Sequence, residues 1–138
     1  MIPNSIIKKG EDYMIKIVVG GQINKPEIAE FTKKTLGDQA VVEVKGDLDA
    51  VMALKAGDYD YYIGACNTGG GGALAMAMAL LGADHCATIS MPGKIYSDKE
   101  IIDYVEAGKI AFGFTAQHAE AVLLTLLNAF LKKKEENK

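Results

Sequence analysis

A chain of 138 residues with 49% hydrophobic content is long enough for one domain with a core of its own, without help from disulfides or metal. Its formal charge of −3 and pI near 5.4, with no lysine stripe ahead of the tail, exclude the clustered basic surface that a nucleic-acid groove needs. All 15 basic residues are lysines, so an anion would be held by ammonium groups, backbone N–H groups or hydroxyls rather than by a guanidinium fork.

Residues 1–13 carry no period and read as a loose extension. Met14-Ile15-Lys16-Ile17-Val18-Val19-Gly20 opens a single domain expected over 14–131. From there β-branched runs alternate with segments of helical period, the pattern of βαβ units that build a parallel sheet. Strands are expected near 15–20, 40–44, 60–65, 85–90 and 109–114, each an apolar run with little alternation, as buried parallel strands should be. The fold class is therefore α/β: a three-layer, Rossmann-like sandwich with a five-stranded parallel sheet of order 2-1-3-4-5.

Between these strands Pro26 opens the first helix, Asp47 is expected to cap the second, and Ser97 with Glu100 forms a capping box. Gly37, Gly57, Gly82 and Gly108 end four helices in turn. The third helix, 73–81, is apolar around its whole circumference and so needs cover on both sides, which predicts a homo-oligomer built through it. In the last helix Ala119, Val122, Leu123, Leu126, Leu127 and Phe130 recur at three- and four-residue steps and form one apolar face, after which 132–138 reads as a solvated charged tail. With no basic leader ahead of an apolar run, no stretch of spanning length and only two cysteines, the chain is expected to be cytoplasmic and off the membrane.

The residue pattern that points to chemistry is Cys66-Asn67-Thr68-Gly69-Gly70-Gly71-Gly72, placed after a buried strand and before a helix. Such a loop lets the backbone approach a ligand and aims several N–H groups at it, which suits a small anionic metabolite. It lacks the Gly-Lys-Ser/Thr ending of nucleotide-hydrolase loops, and Gly20-Gly21 is too sparse for a dinucleotide fingerprint. Cys66 stands at a helix N-terminus, where the dipole favours a thiolate able to act as base or nucleophile; a buried, inert cysteine is the plain alternative.

Gly21 and Gln22 after the first strand, Lys94 after the fourth and His118 after the fifth share the carboxyl edge of the sheet, where ligands bind in such folds. Lys25 is a weaker candidate at the same edge, and Thr115 is expected to cap the last helix. Cys86 and His85 begin the fourth strand at the opposite edge, too far from Cys66 for a disulfide. No group of His, Cys and carboxylates has metal-ligand spacing, and neither metal nor cofactor is expected.

Asp60-Tyr61-Tyr62-Ile63-Gly64-Ala65-Cys66-Asn67-Thr68-Gly69, with Lys109-Ile110-Ala111-Phe112-Gly113 later, resembles the YhfU family of uncharacterised bacterial proteins over nearly all of 14–131. A more distant resemblance is to the B-type ribose-5-phosphate isomerases and galactose-6-phosphate isomerase subunits, which share Cys-x-Thr-Gly-x-Gly and Ala-Phe-Gly. That resemblance implies Cys66 as a base moving a proton between adjacent sugar carbons, Thr68 polarising an oxygen, and the amides of 69–72 stabilising an enediolate. The chain departs from those isomerases at Gly21-Gln22, where they carry Asp-His, at Ala77 and Met78, where they carry an asparagine, and in having no arginine for the phosphate. Two classes of function stay open: an isomerase-type enzyme using Cys66, and a non-catalytic small-molecule-binding or regulatory subunit.

Overall fold

The computed structural model describes residues 13–67 and 70–136, and of residues 70–73 the backbone alone. Strands β1 (Ile15–Gly21), β2 (Ala40–Val44), β3 (Tyr61–Cys66), β4 (Cys86–Thr88) and β7 (Ala111–Thr115) form one parallel sheet. A short antiparallel ribbon, β5 (Ser90–Met91) and β6 (Lys94–Ile95), turns on Pro92-Gly93 with Gly93 at φ 81°. Helices α1 (Lys25–Leu36), α4 (Asp98–Glu106) and α5 (Ala119–Glu136) pack on one face, and α2 (Asp47–Lys55) and α3 (Gly70–Leu81) on the other. This is the expected three-layer α/β sandwich with five parallel strands.

The strand order differs from the expected one. The sheet runs β2-β1-β3-β7-β4, so the last strand of the chain lies beside β3, and the strand expected there is displaced to the border. Burial explains the exchange: every residue of β7 is buried, including Phe112 and Phe114, and such a strand needs a neighbour on each side. β4 has three residues and leaves Thr88 partly exposed, which suits a border position.

On the α1, α4 and α5 face, Tyr61 stacks on Phe130 with ring centroids 3.7 Å apart, and Phe130 meets Phe112 at 5.5 Å. The α5 positions named from periodicity supply this contact: Val122, Leu123, Leu126, Leu127 and Phe130 are all buried. The second face is smaller, with Val18 and Tyr62 covered by Ala50, Val51 and Leu54 of α2 and by Leu74 and Ala77 of α3. On α3 Met76, Leu80 and Leu81 are partly buried against the same core, and Ala75, Met78 and Ala79 are exposed.

Two expectations about the ends change. Helix α5 continues to Glu136 through the segment read as a solvated tail, with Lys134 only 7% exposed and Lys133 Nζ donating to the Val105 carbonyl that ends α4 at 3.0 Å. Tyr13, counted in the loose extension, packs against the core, while residues 1–12 lie outside the described residues. Glycines 37, 57, 82 and 108 end their helices at positive φ, and Ser97 and Glu100 make the capping box. Among the described residues no helix is long and apolar enough to cross a membrane.

Burial, then hydrogen bonding to Asp47, holds the Tyr62 phenol above its ordinary pKa of 10.0, and burial does the same at Tyr61. The folded protein therefore keeps protons that the unfolded chain releases. Stability is full below about pH 10 and falls as pH rises through the folded values. Urea melts at about pH 8 and about pH 10.5 should show this loss, reduced in Tyr62→Phe. An equal loss in that variant would assign the effect to other groups.

Candidate functional site

The chain passes from β1 to β2 on one side and then crosses through α2 to β3 on the other, so the direction of winding reverses at β1 and a crevice opens beyond the carboxyl ends of β1 and β3. Gly21 turns the chain there at φ 81°, and the Gln22 N–H donates to the Ala65 carbonyl at 2.9 Å. A Cβ on Gly21 would stand 2.6 Å from the Ala65 nitrogen and 2.9 Å from its oxygen, so only glycine fits between the two backbones. Gly21 and Gln22 are thus held against the end of β3, next to Cys66 and the exposed turn residue Asn67.

A carboxylate is fixed in the same crevice. Asp47 Oδ1 accepts from the Gly21 N–H at 3.1 Å and from the Tyr62 hydroxyl at 2.5 Å. The cap of α2 is Gly46, with no side-chain cap bond, so Asp47 is the first helical residue and not the cap expected from sequence. Tyr62 reaches Asp47 by lying over two strand glycines: a Cβ on Gly20 would meet its Cε2 at 2.5 Å, and one on Gly64 its hydroxyl at 2.7 Å. Sequence reasoning missed this pair, although glycine inside a strand is itself a signal of close approach.

Cys66 and Thr115 are register partners at the ends of β3 and β7, and strand alternation puts them on the sheet face carrying α2 and α3. Both are 1% exposed. The Thr115 N–H donates to Ser90 Oγ at 2.9 Å, but among the described residues its side-chain oxygen has no hydrogen-bond partner and makes no cap bond, contrary to its expected role. Leaving a buried hydroxyl unsatisfied costs about 1–3 kcal/mol, which marks Thr115 Oγ1 as a group awaiting a partner. His118, in the turn that follows β7, also has a buried Nδ1 without a partner among the described residues.

Helix α3 starts at Gly70 immediately beyond this edge, so the backbone of Gly70, Gly71 and Gly72 forms its first turn, whose N–H groups have no partner within the helix. Thr68 and Gly69 lie outside the described residues. Lys94 belongs to the ribbon after border strand β4, with its Nζ 4.5 Å from the centre of the Tyr96 ring. Lys25, also a candidate at this edge, is the first residue of α1. Cys86 and His85 stand at the amino edge, and neither cysteine is in a disulfide. Among the described residues no three of His, Cys, Asp and Glu come together as metal ligands.

The family model described as "Protein of unknown function DUF2620" matches residues 15–130. The protein called "Uncharacterized protein YhfU" in Escherichia coli strain K12 is 38% identical over 115 residues, covering 83% of this chain and 97% of the relative. Its counterpart of the same name in Shigella flexneri matches with the same figures. No solved structure matches significantly.

Proposed function

The chain belongs to the DUF2620 family of proteins of unknown function, and from its sheet edge we propose that it binds a small anionic, sugar-phosphate-like metabolite, with Cys66 as base of an isomerase-type proton transfer. The observation that carries the reading is the Cys66–Thr115 pair, a buried thiol beside a buried hydroxyl that has no partner among the described residues, where α3 begins. In this reading the first N–H groups of α3 take the anion and Thr115 Oγ1 bonds a ligand oxygen. The Cys66 thiolate removes the proton on a hydroxyl-bearing carbon next to a carbonyl, and the electron pair moves onto the carbonyl oxygen as an enediolate; the hydroxyl proton then passes to that oxygen, the new carbonyl forms where the hydroxyl was, and the same thiol returns its proton to the former carbonyl carbon.

The 1% exposure of Cys66 favours a second reading, a non-catalytic binding or regulatory subunit in which the thiol is only packed. The proposal also includes a homo-oligomer through helix 73–81. Exposed Ala75, Met78 and Ala79 of α3 support it, as do Leu48 and Met52, both half exposed on the neighbouring α2. The partner would be a second copy of the chain.

A thermal-shift screen against sugar phosphates, sugar acids and inorganic phosphate tests the anion site. A ligand at about 100 times its dissociation constant adds roughly 2.7 kcal/mol, a shift of several degrees that Gly70→Asp should abolish by placing a negative charge at the start of α3. No shift with any of these compounds would refute the anion site. Given a hit, loss of its isomerisation in Cys66→Ala with binding intact supports the enzyme, and binding without conversion in the unaltered protein supports the binder.

A further inference from the structure

At the same carboxyl edge, but on the sheet face opposite Cys66 and Thr115, a cavity of about 460 Å³ opens between the first turns of α1 and α5. That volume lies within the range of metabolite sites. Its apolar lining comes from the core: Ile28 and Leu123 are each 2% exposed, and Phe31 closes one side. The polar lining consists of Asn24, Gln117 and the exposed carboxylates of Glu27 and Glu120, with no lysine or histidine among the lining residues.

The charge balance decides what such a cavity takes. Glu27 and Glu120 each sit in the first turn of a helix, where the dipole contributes about half a positive charge. Two full carboxylates against two such termini leave the cavity with roughly one net negative charge. The Asn24 amide adds a polar group at the start of α1, where Asn24 holds the left-handed region, φ 58°, and its side chain makes no cap bond. An anion is disfavoured here, whereas an ammonium gains two carboxylate acceptors and its hydrocarbon part gains the Ile28 and Leu123 surface.

We propose that this cavity binds a small organic cation, a protonated amine carried on an apolar body. The site is separate from the anion site proposed above and uses none of its residues, so either can fail without the other.

The probe is 2-phenylethylamine, with 3-phenylpropionate as an anion of similar shape, each titrated to about 10 mM while heteronuclear NMR follows the backbone of the full chain. Saturable shifts centred on Asn24, Glu27, Gln117 and Glu120 are expected with the amine, at an affinity at least about tenfold above that for the carboxylate. The Glu27→Gln/Glu120→Gln double variant should lose most of that preference, and Ala119→Trp, which fills the cavity, should remove amine binding at an unchanged thermal midpoint. Equal binding of the two probes, an undiminished preference in the double variant, or no saturable shift with the amine would overturn the proposal. Should Ala119→Trp fail to fold, the double variant alone decides.

Discussion

Gly21→Ala is expected to destabilise the protein by about 4 kcal/mol, a large part of the total for a domain of this size. Two effects add. The turn needs φ 81°, which an L side chain adopts at a cost of about 1–3 kcal/mol. The new methyl would also meet the Ala65 nitrogen at 2.6 Å, and that atom is backbone in a central strand, so relief requires β1 and β3 to part, at about 1–3 kcal/mol more. Gly37→Ala is the control, because Gly37 shares a positive φ of 53° but has nothing within 4 Å of its Cβ, and it should cost only about 1 kcal/mol. Urea unfolding of the two variants measures the difference. If they cost the same, the Gly21 turn yields freely and the close approach of the strands has no energetic weight.

Asp47→Ala should cost about 3 kcal/mol, since it removes the acceptor of both the Gly21 N–H and the buried Tyr62 hydroxyl. Asp47→Asn keeps a carbonyl oxygen in place and should cost about 1 kcal/mol, the difference between charged and neutral hydrogen bonds. Tyr62→Phe removes the hydroxyl that donates to Asp47. In a double-mutant cycle the Asp47→Ala and Tyr62→Phe losses should be non-additive by about 1 kcal/mol or more, because each removes the same hydrogen bond. Additive losses would mean that Asp47 acts through the Gly21 turn alone, and the two strand glycines under the Tyr62 ring would need another explanation.

Much of the fold was legible in the chain itself. The apolar runs at 15–20, 60–65 and 109–114 named three strands, though not their places in the sheet, because strands covered on both faces have no polar side to show. The glycines at 37, 57, 82 and 108 and the Ser97–Glu100 box marked helix ends, because a cap or a positive φ is a local requirement that a few residues satisfy among themselves. The glycine-rich segment after Cys66 marked the carboxyl edge of β3, close to where α3 begins.

What the sequence could not carry was anything set by residues distant along the chain. The exchange of β4 and β7 follows from how deeply 111–115 is buried relative to 86–88, a comparison that exists only once the layers are packed. Asp47 reads locally as a helix cap, and its partners Gly21 and Tyr62, 26 and 15 residues away, turn it toward the crevice. Thr115 likewise reads as a cap, yet its register with Cys66 and its unpartnered oxygen appear only when β7 lies against β3. Sequence therefore determined the elements, because backbone preference and periodicity are local. Tertiary structure decided the site, because its hydrogen bonds and its burial are made between strands that the chain brings together only by folding.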